Sequence, residues 1–246
     1  MFMERLDKIL SSQGVGSRKE AGILIRRGLV HVNGILATRP ETKTDPERDQ
    51  ITIEGKPLRF QRHVYLMMNK PAGVVSASRD SREKTVVDLV PPVLSRRDLF
   101  PAGRLDRDTT GLLILTDDGE LAHRMLSPKK HVYKLYEASV DGPVGAEEIE
   151  KFAAGVALED GTVCLPAGLT VVKQGTAWET LVEIREGKFH QVKRMFEAVG
   201  KKVLYLKRIS MGPLVLPEDL APGAYRKLTA EELAALKNEQ PKRNED

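Results

Sequence analysis

Residues 100–119 read FPAGRLDRDTTGLLILTDDG. The run LLIL at 112–115 is a buried-strand signal, and Asp117-Asp118-Gly119 closes it with turn chemistry. Gly103 and Gly111 bracket a charged, hydroxyl-rich loop that leads into that strand. Asp118 is placed to cap a helix over 120–126, with Pro128 just past its end. Upstream, VYLMM at 64–68 is a second continuous apolar run and NKPAG at 69–73 is a turn. VV at 74–75 resumes strand character, and 85–90 is a further apolar stretch ended by Pro91-Pro92. Downstream, 134–140 alternates with Tyr136, Ala138 and Val140 on one side, and 146–154 is amphipathic through Ile149, Phe152 and Ala153. Segments 168–172, 179–185 and 203–206 read as strands. Val192, Met195, Phe196 and Val199 recur at helical spacing before Gly200, and Thr229-x-x-Glu232 opens a last helix through Leu233 and Leu236. Strands and helices are interspersed without regular β-α-β spacing. That order predicts an α+β fold whose main sheet is mixed, largely antiparallel and flanked by helices.

The chain has 246 residues, enough for one large domain or two smaller ones at roughly 100–200 residues each. Its net charge of +4 lies wholly in residues 1–62, which hold 12 Lys/Arg against 8 Asp/Glu, while the remainder holds 27 of each. A basic module on a neutral body is compatible with a nucleic-acid partner. The single cysteine, Cys164, excludes a disulfide framework and a cysteine-rich zinc site, and fits a reducing compartment. No apolar run approaches the ~18 residues that span a bilayer, and MFMERLDKIL lacks the apolar core of a signal peptide. These features exclude a helical membrane protein, a secreted miniprotein and a long disordered chain.

In the basic module, Leu6, Ile9 and Leu10 mark one helix face. Ser17-Arg18-Lys19-Glu20 is a capping box opening a second helix, with Ala21, Leu24 and Ile25 inward and Gly28 as its stop. Lys19 and Arg26 are seven residues apart and so fall within ~20° of each other around that helix, flanked by Arg18 and Arg27. A strand LVHV at 29–32, a hairpin signal at Asn33-Gly34 and a strand ITI at 51–53 follow. The predicted domains are 1–62 and 63–240, with a frayed tail at 241–246.

Motifs for nucleotide phosphates, nucleophilic serine and helical zinc sites are missing, and the five histidines form no i, i+4 pair. Cofactor or metal chemistry is therefore not expected. The loop 103–111 is the densest candidate. Asp106 and Asp108 either hydrogen-bond turn amides, the usual role of loop aspartates, or act on a ligand held over the sheet.

The whole chain carries a resemblance. GRLDRDTTGLLILTDDG at 103–119 resembles the signature of the pseudouridine synthases, in the family that contains the bacterial small-subunit ribosomal RNA enzyme. NKPAG at 69–73, KLY at 134–136 and EGKFHQVKRMF at 186–196 resemble its other motifs, in order. The first 60 residues are similar to the RNA-binding module named after ribosomal protein S4. The resemblance implies isomerisation of uridine in ribosomal RNA, 16S before 23S, with no cofactor. It implies Asp106 as the catalytic carboxylate, Tyr136 as the ring that stacks on the target base, and Lys193 as the cation paired with the aspartate. Arg104 and Asp108 shape the loop. Arg5, Arg18, Lys19, Arg26 and Arg27 in the module, with Lys70, Lys188 and Arg194 in the larger domain, are the candidate RNA contacts. The implied partner is ribosomal RNA or an assembly particle, met by a cytoplasmic monomer with no membrane attachment.

Base isomerisation has no redox or energy requirement, so missing cofactor motifs agree with it. It needs a carboxylate drawn out of bulk water, and a nearby cation offsets the cost. Asp106 attacks the ring, attacks the sugar or removes a sugar proton; the sequence leaves the three open. Seven cations between Lys188 and Arg208 against one acid, Glu197, read as a basic stripe for RNA backbone. Phe189, Met195 and Phe196 read as core. The rival readings are a noncatalytic ribosome-assembly factor and a metal-dependent nuclease built from Asp106, Asp108, Asp117 and Asp118.

Overall fold

The computed structural model describes residues 3–91, 94, 98–127 and 131–238; Pro92, Pro128 and the tail at 241–246 lie outside them. The chain divides into two compact units, Met1–Val64 with Val90–Leu99, and Tyr65–Leu89 with Phe100–Asp246. The sequence reading cuts the chain once, whereas here it leaves the second unit at Leu89 and re-enters at Phe100.

The first unit builds outward from two short helices, α1 (Leu6–Ser12) and α2 (Arg18–Arg26). Ser17 and Glu20 form the reciprocal capping box, with Ser17 N donating 2.6 Å to Glu20 Oε2. Strand β1 (Glu4–Arg5) pairs with β4 (Lys43–Thr44). Strands β2 (Val30–Val32), β3 (Ile35–Leu36), β5 (Ile51–Ile53) and β6 (Lys56–Pro57) form a sheet of order β3-β2-β5-β6. Asn33 and Gly34 both take positive φ, 51° and 78°, as a two-residue hairpin turn of this hand requires. Leu6, Ile9, Leu10, Ala21, Ile25, Val30 and Ile51 close the core. Asp7 is buried against it and is held by Arg5 at 2.9 Å and Arg18 at 3.2 Å.

The second unit is one nine-stranded sheet. Its path runs β11 (Gly168–Lys173), β12 (Trp178–Ile184), β10 (Lys134–Val140), β13 (Val203–Met211), β9 (Thr110–Thr116), β7 (Tyr65–Lys70), β15 (Tyr225–Lys227). β8 (Phe100–Ala102) pairs with β9, and β14 (Leu214–Val215) with β13. All pairings are antiparallel except β9 with β13. Among the described residues, four α-helices complete the unit: α3 (Gly119–Leu126), α4 (Ala146–Ala154), α5 (Gln191–Ala198) and α6 (Ala230–Asn238). The mixed, largely antiparallel α+β architecture is the one the patterning predicts. Asp118 caps α3 by accepting from Leu121 N at 3.0 Å, and Thr229 with Glu232 forms the box that opens α6. β7 is buried along its whole length because apolar layers cover it, which its unbroken apolar run foreshadows.

Several segments differ from the sequence reading. Val74-Val75 contributes only a single bridge, Val75 to Thr85, and Val87–Leu89 is a 3-10 turn closed by Asp88 accepting from Thr85. β13 continues past Leu206 to Met211 because β10 and β9 pair it on both sides through its charged residues. Helix α5 begins at Gln191, since His190 before it is left-handed at φ 49°.

The parallel crossing of β9 and β13 aims the site, and one glycine permits it. Gly111 has φ 102°, and a Cβ there would lie 2.2 Å from the carbonyl oxygen of Arg208. Gly111→Ala should destabilise the second unit by roughly 2–3 kcal/mol, from left-handed strain plus backbone displacement. A thermal melt that matches wild type would contradict this.

Candidate active site

The loop between β8 and β9 carries Arg104, Asp106 and Asp108 and borders a cleft of about 770 Å³ within the second unit. Its conformation is fixed from below. Lys70, the last residue of β7, is 0% exposed, and its ammonium donates to the carbonyls of Thr109 at 2.8 Å, Asp106 at 2.9 Å, Pro71 at 3.1 Å and Arg107 at 3.3 Å. Ser76 Oγ donates to Leu105 O at 2.8 Å and accepts from Leu105 N at 3.0 Å, while Gly73 N donates to Arg107 O at 2.8 Å. A loop held by this many fixed partners presents its carboxylates with little reorganisation.

Lys70 is therefore not a surface contact for RNA, as its charge suggests. It is a strut under the loop: its ammonium binds three loop carbonyls together with that of Pro71. Burial pushes its ammonium down to about 8, against the pull of the Asp108 and Asp106 carboxylates.

Asp106, half-buried, faces the first turn of α5. Lys193 Nζ lies 3.3 Å from Asp106 Oδ2 and 2.6 Å from Asp108 Oδ1. The expected pair exists, but the shorter contact goes to the exposed Asp108, so one ammonium bridges two carboxylates. Burial works to lower Lys193, and the Asp108 hydrogen bond and both carboxylate charges outweigh it, holding it above the usual lysine range. The same hydrogen bond from Lys193 holds Asp108 below the usual carboxylate range. His190 Nε2 stands 3.5 Å from Asp106 Oδ1, a neighbour that a survey for i, i+4 histidine pairs does not find.

Tyr136 on β10 is 7% exposed and lines the cleft with Ile184, Val192 and Leu206. Asp106 and Tyr136 thus line one cleft from two separate elements, and Lys193 reaches Asp106 from a third. Arg104 is exposed at the same cleft.

The other expected RNA contacts separate into two groups. Lys19, Arg26 and Arg27 are exposed on the first unit. Arg5 and Arg18 are engaged with Asp7. Lys188 is paired with Glu186, and Arg194 with Asp160. The basic stripe at 188–208 does not form as one: Lys193 serves the loop, Lys201 pairs with Glu148 at 3.7 Å, Lys207 with Glu137 at 3.9 Å, and Arg208 is buried. Phe189 corrects the reading in the other direction. It is 75% exposed, with its ring stacked 3.8 Å from that of His190 at the cleft. Met195 and Phe196 are core, as expected.

The four aspartates of the nuclease reading do not converge. Asp118 caps α3 and accepts from Tyr65 Oη at 2.7 Å. Among the described residues no three His, Cys, Asp or Glu side chains are grouped to hold an ion. No helix of the described residues is long and apolar enough to cross a membrane.

The chain is similar to known proteins over nearly its whole length. The RNA pseudouridylate synthase model matches residues 64–198, and the S4 domain model matches residues 4–51. An uncharacterized RNA pseudouridine synthase of Bacillus subtilis (strain 168) is 48% identical over 238 residues, covering 96% of this chain and 99% of that protein. The ribosomal small subunit pseudouridine synthase A of Escherichia coli (strain K12) is 42% identical over 234 residues, covering 94% and 99%. A crystal structure of a pseudouridylate synthase superposes with a TM-score of 0.67 at 36% identity, covering 94% of this chain and 99% of that one. With an acid-bearing loop and a buried tyrosine lining one cleft, a lysine bridging two carboxylates of that loop, and an S4 domain match over residues 4–51, the chain belongs to the RNA pseudouridylate synthase family and is an RNA-modifying isomerase.

Proposed function

We propose that this enzyme converts a specific uridine of small-subunit ribosomal RNA to pseudouridine, with Asp106 as its catalytic carboxylate. The observation that carries the reading is Asp106, 3.3 Å from the Lys193 ammonium, lining the same cleft as Tyr136, Ile184, Val192 and Leu206. The target base leaves its stack at a cost of a few kcal/mol and enters the cleft. There Tyr136 offers it a flat face, where base–aromatic stacking contributes roughly 1–3 kcal/mol. Lys193 offsets the cost of holding a carboxylate away from water. Asp106 then acts on the nucleoside as nucleophile or base. The bond from C1′ to N1 breaks, a bond from C1′ to C5 forms, C5 loses a proton and N1 gains one, so no other substrate is consumed.

The small-subunit target rests on the Escherichia coli relative, whose name states its substrate and which aligns over nearly its whole length. The S4 domain supplies Lys19, Arg26 and Arg27 to RNA phosphates, as a monomer acting in the cytoplasm on ribosomal RNA or an assembling particle. Mapping pseudouridines in ribosomal RNA from cells with and without the gene tests the assignment. One 16S position should lose its modification; loss confined to 23S would move the target, and no loss at either would refute it.

Phe189 belongs to the same surface. An aromatic ring 75% exposed beside a catalytic cleft suits a nucleotide flanking the target better than it suits solvent. Phe189→Ala should weaken RNA binding by about 1–3 kcal/mol while stability stays within about 0.5 kcal/mol of wild type. Unchanged affinity in a filter-binding titration would remove Phe189 from the RNA surface.

A further inference from the structure

A buried cation at the cleft has a donor left unmet. Arg208 lies on β13, opposite Tyr136 on β10 and opposite Gly111 on β9, and it lines the same cleft as Tyr136. It is 2% exposed. Its Nε donates to the carbonyl of Leu112 at 2.8 Å. Its Nη2 is buried, and among the described residues it has no hydrogen-bond partner. Folded proteins leave few buried polar groups unsatisfied, and an unanswered buried charge is among the most costly.

Resting on the reading that a uridine enters this cleft, we infer that Arg208 is a catalytic residue whose guanidinium donates to a carbonyl oxygen of the target uracil. Heterolysis of the C1′–N1 bond leaves its electron pair on the uracil ring, where the charge spreads over N1, O2 and O4. The ring then turns, C5 bonds to C1′, the C5 proton departs and N1 takes up a proton. Negative charge on the base is greatest between those two bonds, in a cleft that already holds the Asp106 carboxylate. A guanidinium anchored through Nε on the Leu112 carbonyl needs only a small shift to present its Nη2 to that charge. Lys193 is committed to Asp106 and Asp108, so it does not serve this purpose.

Arg208→Met and Arg208→Lys, each with its thermal melt, are compared with wild type in single-turnover pseudouridine formation on RNA containing the mapped uridine. Met should lower the rate by about 10²-fold or more with RNA affinity within a few-fold, and Lys should restore part of it. Rates within threefold of wild type for a folded Met variant would overturn the inference. A second arm does not depend on the variant folding. RNA carrying 2-thiouridine or 4-thiouridine at the target replaces one carbonyl oxygen with a poor acceptor. One of the two should slow wild type roughly tenfold and slow a folded variant no further. Wild type indifferent to both, or variant and wild type slowed alike, would overturn it. Wild-type activity on the unmodified RNA is the control for the underlying function; its absence would defeat that reading, not the role of Arg208.

Discussion

Asp106→Asn should leave a folded, RNA-binding protein that forms no pseudouridine. The substitution keeps the shape of the side chain and removes its charge and its capacity as nucleophile or base. Little else depends on that carboxylate. The loop is held through backbone atoms by Lys70, Ser76 and Gly73, and Lys193 retains Asp108 at 2.6 Å. Stability should therefore stay near wild type. RNA affinity, set largely by phosphate contacts distributed over the protein, should change by no more than a few-fold. Turnover should fall by on the order of 10⁴ or more, the scale seen when a residue that acts on the substrate is removed from a cooperating set. Release of tritium from RNA labelled at uridine C5 reads this directly, because the C5 hydrogen departs when C5 bonds to the sugar. Release at the wild-type rate would take Asp106 out of the mechanism. Loss of activity together with loss of RNA binding would assign it a structural role instead.

Local rules made much of the fold legible. The Ser17 box, the Asn33-Gly34 turn and the Asp118 cap each follow from a few adjacent residues whose hydrogen bonds close within the segment. The buried run in β7 and the helical spacing in α5 needed only periodicity. The order of strands in the large sheet did not follow from either, because β13 pairs with β9 across about a hundred residues of chain. Asp106 and Tyr136 reach one cleft through that order, with Lys193 beside Asp106, so spacing alone gave no reason to group them; the motif resemblance did.

The misreadings share a cause. Each assigned a residue from its type, where a distant partner decided its place. Lys70 looked like surface because it is lysine, yet its acceptors arrive with the loop 36 to 39 residues later. Arg208 looked like part of a basic stripe, yet pairing on both edges of β13 carries it inside. Phe189 looked like core, yet the left-handed His190 that follows it leaves its ring outside. Phe189 and Arg208 line the cleft and Lys70 braces the loop that borders it, where ordinary rules of burial give way to what a substrate needs.

Lys70→Met tests the strut under the loop and should have the largest structural effect of these changes. Methionine fills the space but leaves the carbonyls of Pro71, Asp106, Arg107 and Thr109 without their shared donor. The loss should amount to about 3–5 kcal/mol of stability, the range for stripping one partner from a buried polar cluster. Well below the melting temperature, the residual activity should still be down roughly 10²-fold, because a loop carbonyl shift of about 1 Å misplaces Asp106. The wild-type pH dependence separates this from simple unfolding. With its ammonium pushed down to about 8, Lys70 is the cation of the loop that loses its proton first on raising pH; Lys193 is held above the usual lysine range. A neutral amine has two hydrogens for four carbonyls and no charge to hold them, so single-turnover activity should fall as pH rises through about 8. Stability should move the opposite way. Lys70 binds its proton more weakly in the folded chain than in the unfolded one, so its contribution increasingly favours folding as pH rises from about 8 toward its ordinary value of 10.5. Activity that declines while the protein grows no less stable would mark loss of the strut's charge. Wild-type activity flat through pH 9, or the same alkaline limb in a folded Lys70→Met variant, would show that the loop does not depend on that proton.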